Sequence, residues 1–114
     1  MRVDQSFVDT ATFKANSIVD LAYVKVATGV VLGNQAMLLE IKLRRAMRCV
    51  SVARQQPEAI VDAYAYLSSA YDQVSLIVDD ELFKQVESLQ RYVGSYIKWQ
   101  IRIQENDKEE LTNG

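Results

Sequence analysis

The sequence contains no histidine and only one cysteine, and these absences exclude much of the chemistry that small proteins perform. Without histidine there is no imidazole acid, base or metal ligand, and the Glu-x-x-His pairs of di-iron bundles cannot form. Cys49 alone can form neither an internal disulfide nor a thiolate zinc site, and no histidine activates it as a nucleophile. We therefore expect no catalytic residue, no metal and no cofactor, and a reducing compartment, the cytoplasm.

Proline and glycine are also scarce, with one Pro and four Gly in 114 residues, so their positions carry information. Gly29 and Gly33, then Pro57, then Asp79-Asp80 mark three breaks, because Gly and Pro interrupt helices and Asp caps helix starts. No apolar run approaches the roughly 18 residues of a membrane span, and Met1-Arg2-Val3-Asp4 does not begin a signal peptide. The sequence therefore predicts four segments joined by short turns, without a membrane partner.

Apolar residues recur in each segment at spacings of three and four, which is the period of an amphipathic helix. The predicted buried stripes are Val8, Ala11, Ala15, Ile18 and Ala22; Leu39, Leu43, Ala46, Val50 and Ala53; Ile60, Ala63, Leu67, Ala70, Val74 and Ile77; and Leu82, Val86, Leu89, Val93, Tyr96, Gln100 and Ile103. Short turns make such helices antiparallel neighbours. We expect an all-α, up-and-down four-helix bundle over residues 1–104, followed by an acidic C-terminal tail, residues 105–114.

The formal net charge of −2 conceals a strong segregation of charge along the chain. Residues 33–56 carry five basic residues against one acidic residue, whereas residues 57–81 carry six acidic residues and no basic one. Residues 82–104 are basic again, with four basic residues against Glu87. A net negative chain can therefore still present basic surfaces on its second and fourth helices.

These basic residues form two groups of candidate phosphate ligands. The group on the fourth helix falls within an arc of about 40°, opposite the stripe centred on Leu89, and extends about 27 Å along the helix. The candidate nucleic-acid-binding residues are Lys42, Arg44, Arg45, Arg48, Lys84, Arg91, Lys98 and Arg102. The alternative is a solvated face that Glu87 partly neutralises by pairing with the arginine four residues later.

Aromatic residues cluster beside the fourth-helix group. Tyr92, Tyr96 and Trp99 lie on one shoulder of that helix, and Tyr64 and Tyr71 lie one heptad apart on the third. One interpretation is packing between helices three and four with the hydroxyl groups at the rim. The other is stacking on the bases of a single-stranded nucleic acid, beside the basic residues.

The second helix carries a second apolar file beside its core stripe, with Arg45 in the middle of the file. Two apolar sides indicate a homo-oligomer or a bound protein, because one side suffices for a bundle. The candidate interface residues are Leu38, Ile41, Cys49 and Val52. Arg45 must reach water or a carboxylate, for which the acidic third helix of the same or a neighbouring subunit is the source. The alternatives are that the apolar residues of this file belong to the bundle core and that Cys49 is a small core residue.

Two short motifs add a resemblance. Val93-Gly94-Ser95-Tyr96-Ile97-Lys98 resembles the closing motif of a family of small four-helix bundles, and Leu32-Gly33-Asn34-Gln35 resembles the start of the second helix in that family. The family comprises proteins encoded in intervening sequences of 23S ribosomal RNA genes and the accessory variability determinant (Avd) proteins of diversity-generating retroelements. The matching positions are Gly33, Gly94, Ser95, Ile97 and Lys98, while Tyr96 stands where these proteins usually have Trp.

The resemblance implies a homopentameric barrel that partners a reverse transcriptase and its structured RNA without catalytic residues of its own. We accordingly expect a non-catalytic accessory or scaffold subunit of a nucleoprotein complex. The alternative is a protein-binding adaptor or inhibitor that acts through the apolar file of the second helix without nucleic acid. The first predicts binding that weakens steeply with salt, and the second predicts a salt-tolerant complex.

Overall fold

A computed structural model describes the backbone of residues 3–113 and the side chains of residues 3–106, and over this range the fold is all helical with no strand. Its four α-helices are α1 Gln5–Ala27, α2 Gly33–Val52, α3 Ala59–Val74 and α4 Asp80–Asn113. This confirms the predicted all-α class with four helices. Within the described range, no helix combines the length and the apolar character needed to cross a bilayer.

The turns fall at the three predicted breaks. Gly29 has a φ of +78°, a left-handed conformation that side chains disfavour, and it lies between α1 and α2. Helix α3 begins two residues after Pro57. The Oδ1 atom of Asp79 accepts a hydrogen bond of 2.9 Å from the backbone N–H of Leu82, as expected of an N-cap. These residues divide the chain because each satisfies or interrupts backbone hydrogen bonding where a helix ends.

Each helix packs against two neighbours around one core. Helices α1 and α3 both contact α2 and α4, whereas α2 and α4 make no mutual contact in the described part of the chain. The predicted stripes of the first three helices are buried throughout, and so are Leu82, Val86, Leu89 and Val93 on α4. Phe7, Val19 and Val31 join this core although they fall outside the periodic pattern. The arrangement puts α2 and α4 on opposite sides of the core.

Helix α4 is much longer than its neighbours, and this corrects the prediction for Ile103. Its stripe is buried through Val93, Tyr96 is partly buried and Gln100 is 7% exposed, but Ile103 is 36% exposed. The backbone N–H of Asp4, just before α1, donates a hydrogen bond of 3.1 Å to the hydroxyl of Tyr96, so α1 begins opposite Tyr96. Beyond this level the apolar period continues without a neighbouring helix to cover it.

The predicted boundary at residue 104 is not marked by a break in the backbone. Helix α4 continues to Asn113 and so includes nearly all of the acidic segment, residues 105–114. The side chains of residues 107–114 lie outside the described residues. The acidic segment is therefore helical in its backbone, and its role as a separate tail stays a prediction.

Candidate nucleic-acid interface

The outer face of α4 carries a straight file of basic and hydroxyl side chains. The file consists of Lys84, Ser88, Arg91, Ser95, Lys98 and Arg102, and all six are exposed. Their spacings of four and three residues place them in one line along the helix. No carboxylate interrupts this line, which we call the α4 basic file. Its four cations are among the predicted phosphate ligands, whereas the intervening Ser88 is not.

Among the described residues, few ion pairs offset the positive charge of the α4 basic file. Arg91 lies 3.6 Å from Glu87, one helical turn earlier, and the arginine side chain is 76% exposed. Such an exposed pair contributes little, because water and salt screen it and both side chains lose freedom. Among the described residues, no ion pair within 4.0 Å involves Lys84, Lys98 or Arg102. The predicted partial neutralisation by Glu87 is therefore confirmed for Arg91 and does not extend along the file.

The arrangement suits the backbone of a nucleic acid. Phosphate oxygens take hydrogen bonds from Lys and Arg and also from Ser hydroxyl groups. Basic residues on about 27 Å of helix can neutralise several successive phosphates, which releases counterions and makes the affinity depend on salt. The file offers such contacts without a deep pocket.

The basic group on α2 has a different environment. Arg44 donates two hydrogen bonds to Glu40, the shorter of which is 2.7 Å, and Glu40 also accepts a hydrogen bond of 2.8 Å from the Tyr23 hydroxyl. The Arg44 guanidinium lowers the pKa of Glu40, and the bond to Glu40 raises the pKa of Tyr23. Lys42 is half-buried, and Arg45 and Arg48 are exposed. Arg44 is thus hydrogen-bonded to a carboxylate, whereas on the α4 basic file Arg91 has only a longer ion pair of 3.6 Å with Glu87.

The eight predicted phosphate ligands do not form one surface within a single chain. Half of them lie on α2 and half on α4, on opposite sides of the core. Sequence periodicity identifies the outward side of each helix, but it does not identify which outward sides adjoin.

The aromatic residues of α4 pack chiefly against α1. Phe7 stacks on Tyr96 with ring centroids 3.8 Å apart and on Tyr92 at 5.3 Å, and the Lys14 ammonium lies 5.4 Å from the centre of the Tyr92 ring. The ring contacts of these two tyrosines thus join α4 to α1, which the sequence pattern did not predict, because the buried Phe7 ring lies outside the stripe of α1. Trp99, half exposed, lies 5.8 Å from Tyr96.

Packing between α3 and α4 does involve the tyrosines of α3. Tyr71 contacts Phe83 with ring centroids 5.1 Å apart. The Tyr64 ring lies over Gly94, where an added Cβ would come within 3.1 Å of a ring carbon. A side chain at Gly94, one of the residues that carry the family resemblance, would therefore require the Tyr64 ring to shift by a few tenths of an ångström. No such crowding occurs at Gly33, where a Cβ would meet nothing within 4 Å.

The apolar file of α2 is on the surface. Leu38, Ile41 and Val52 are 48%, 39% and 42% exposed, which contradicts the interpretation that they belong to the bundle core. Cys49 is half-buried beside a groove of about 460 Å³ that α3 also lines, at Asp62 among others. Burial raises the pKa of the Cys49 thiol, so the group stays protonated at neutral pH. We call Leu38, Ile41, Cys49 and Val52 the α2 apolar file.

A shallow groove between α1 and α4 contains a residue that the sequence analysis missed. Phe13 is 72% exposed although it lies in the middle of α1. The groove has a volume of about 210 Å³ and is lined by Phe13, Lys14, Ser17, Ile18, Gln85 and Ser88. The available signal was the position of Phe13 outside the stripe of Ala11 and Ala15, which assigns a large aromatic ring to the outer face of α1.

The acidic cluster before α4 has a structural role. Lys25, near the end of α1, lies 3.1 Å from Asp79 and 3.0 Å from Glu81. The backbone N–H of Leu82, aided by Lys25, lowers the pKa of Asp79. These contacts fasten the end of α1 to the start of α4 and confirm the interpretation of Asp79 as a helix cap.

Comparisons with protein-family models, with curated proteins and with solved structures give no match to this chain. The resemblance to the Avd and intervening-sequence proteins therefore stays a hypothesis that depends on the motifs at residues 32–35 and 93–98.

Proposed function

We propose that the chain is a non-catalytic accessory or scaffold subunit of a cytoplasmic nucleoprotein complex, and that the α4 basic file binds nucleic-acid phosphates. The observation that supports this function is the file itself, in which four exposed cations and two exposed serines lie in one line, with Glu87 and Glu105 at its edge. Under the family resemblance, the complex contains a reverse transcriptase and its structured RNA. The chain would then contribute RNA contacts and architecture rather than chemistry.

The proposal includes an up-and-down helix order and a homo-oligomer. Contacts of α1 and α3 with both other helices are those expected of such an order. For the oligomer, the α2 apolar file offers the contact surface, and exposed charges beside it are complementary between copies. Arg45 and Arg48 on α2 are exposed, and so are Asp62 and Asp72 on α3. The subunit number is five if the resemblance holds.

Binding of a labelled 20-nucleotide RNA, measured by fluorescence anisotropy at low salt, tests the function. The double variant Arg91→Glu with Lys98→Glu removes two cations from the centre of the α4 basic file. We expect its affinity to fall by more than about tenfold, because phosphate contacts dominate such binding and two of them become repulsive. The matched control is Arg45→Glu with Arg48→Glu, which changes the net charge equally on the opposite side of the core and should retain most of the affinity.

Two outcomes would overturn this function. Absence of RNA binding by the parent protein at low salt contradicts it directly. Unchanged binding in the α4 double variant, with loss in the α2 double variant, contradicts the assignment to the α4 basic file. Circular dichroism of both variants checks that the helices are retained.

A second candidate function is a protein-binding adaptor or inhibitor that acts through the α2 apolar file. The exposure of Leu38, Ile41 and Val52 favours it, since one helix face presenting several large apolar groups is typical of a binding surface. This function predicts a complex that tolerates salt and is lost in Ile41→Asp. It differs from the first function in requiring no polyanion.

A further inference from the structure

Phe13 is the most exposed aromatic side chain among the described residues. Only Leu76 and Val78 are more exposed among the large apolar groups, and both lie in the turn between α3 and α4. Phe13 instead lies in the middle of α1, where the helix backbone fixes the position of its Cβ atom and directs the side chain outward. An aromatic ring that faces water there is poorly explained by the stability of the fold, because its apolar surface gains little from the core.

The surroundings of Phe13 are cationic and rich in hydrogen-bonding groups. The groove beside the ring is lined by Lys14, Gln85 and Ser88. Ser88 belongs to the α4 basic file, with Lys84 one turn before it and Arg91 one turn after it. On a helix such neighbours lie about 5–6 Å apart at their Cβ atoms, so the basic file borders the groove. An exposed ring and a row of phosphate ligands therefore share one surface.

We propose that Phe13 is a stacking platform for an unpaired base, so that the α1–α4 groove binds single-stranded nucleic acid while Lys84 and Arg91 hold the adjacent phosphates. Every base has a flat face that can stack on an aromatic ring, and single strands expose these faces whereas duplexes bury them. Gln85 supplies an amide donor and acceptor at the groove for the edge of the stacked base. This inference rests on the proposed function and specifies its substrate class.

The other rings on this side of the molecule have different roles. Tyr92 and Tyr96 are stacked on Phe7, and Lys14 covers Tyr92. Phe7 therefore already occupies one face of each tyrosine, and both rings are partly buried. Base stacking was one of two interpretations of the cluster that includes these tyrosines and Trp99, and we place that role on Phe13 of the neighbouring helix, which is more exposed than Trp99.

The test compares a 20-nucleotide unstructured single strand with a 20-base-pair duplex, using anisotropy at one low salt concentration. Phe13→Ala should weaken binding of the single strand about tenfold, within the range for loss of one stacked base, and change duplex binding less than about twofold. Phe13→Trp should restore single-strand affinity. The matched control is Val24→Ala, which also shortens an exposed apolar side chain of α1 and should change neither affinity.

Equal losses for single strand and duplex, or no loss in Phe13→Ala, would overturn the inference while leaving phosphate binding by the α4 basic file in place. Failure of the parent protein to bind either probe would instead overturn the proposed function together with this inference. Failure of Phe13→Trp to recover affinity, with its helices intact by circular dichroism, would also contradict a stacking role.

Discussion

The outer faces of α2 and α4 carry similar numbers of basic residues but present them in different settings. On α4 the four cations lie in one line with two serines, and among the described side chains Arg91 alone of them has a carboxylate within 4.0 Å. On α2 the cations surround exposed apolar side chains, and Arg44 is hydrogen-bonded to Glu40, which also holds Tyr23 of α1. A similar number of cations therefore has a different chemical environment on each of the two faces.

This difference shows that the groups around a cation determine which kind of partner it can bind. A cation with no partner keeps its full attraction for a phosphate, whereas one held by a carboxylate must lose that partner before it binds another anion. Apolar groups among cations instead favour a protein surface, where burial supplies affinity and charge selects the partner. These settings are the reason for proposing nucleic acid as the partner of α4 and a second copy of the chain as the partner of α2.

The largest expected effect comes from Ile41→Asp, which tests the assignment of α2. An aspartate in the α2 apolar file removes about 2 kcal/mol of apolar burial and adds the cost of burying a charge. We expect self-association to weaken by at least about 100-fold, so native mass spectrometry should show monomers of 12.9 kDa at concentrations where the parent protein is oligomeric.

Val24→Asp is the control, because it places the same charge at an exposed apolar site on α1. It should leave the mass of the assembly unchanged. If both variants dissociate equally, general charge repulsion explains the result and the α2 apolar file loses its special role. If the parent protein is itself monomeric, the assignment of α2 to a second copy is wrong.

Most of the fold could be predicted from the sequence, because helix period and helix-ending residues are local properties. The stripe from Ile60 to Ile77 is buried as predicted, and Asp79 caps α4 as predicted. The prediction that Ile103 is buried was wrong, because burial also depends on the length of the neighbouring helices. Helix α3 has 16 residues and α4 has 34. The apolar side chains near the end of α4 keep the helical period, but no neighbouring helix extends far enough to cover them.

The candidate site was less predictable, because its properties depend on pairs of helices. The basic side of α4 follows from its own sequence. The pairing of Arg44 with Glu40 is a local i, i+4 relation, yet the contribution of Tyr23 to that pair depends on how α1 packs beside α2. Phe13 was not predicted as a site residue for the same reason, since the groove beside it is completed by Gln85 and Ser88 of another helix.

A smaller effect distinguishes the two faces by their salt dependence. If four cations of α4 contact phosphates of a single strand, the logarithm of the affinity should fall with the logarithm of salt concentration with a slope of about −3. Arg91→Gln should reduce the magnitude of that slope by about 0.7, because one counterion contact is lost. Arg44→Gln should leave the slope unchanged. Equal changes in both variants would contradict the distinction between the two faces.

The smallest expected effect is a gain of function on α2. Glu40→Gln keeps an acceptor for Tyr23 but removes the negative charge that holds Arg44. The freed cation should strengthen binding of a single-stranded probe at low salt by less than about threefold, since exposed ion pairs are weak. A gain much larger than this would show that Glu40 masks a second nucleic-acid surface on α2, and the contrast with α4 would disappear.

The same variant gives a titration test of the Tyr23–Glu40–Arg44 cluster. The pKa of Glu40 is lowered, so its stabilising contribution is complete above its unfolded-state pKa and disappears as the pH falls through the folded-state pKa. The pKa of Tyr23 is raised, so that contribution is lost as the pH rises through the folded-state pKa of the phenol. Carbon-13 NMR of labelled tyrosines, assigned with Tyr23→Phe, should show Tyr23 titrating at lower pH in Glu40→Gln than in the parent protein. If the two titrations coincide, the charge of Glu40 does not act on Tyr23 in solution, and the Tyr23–Glu40 contact as an element that distinguishes the α2 face is contradicted.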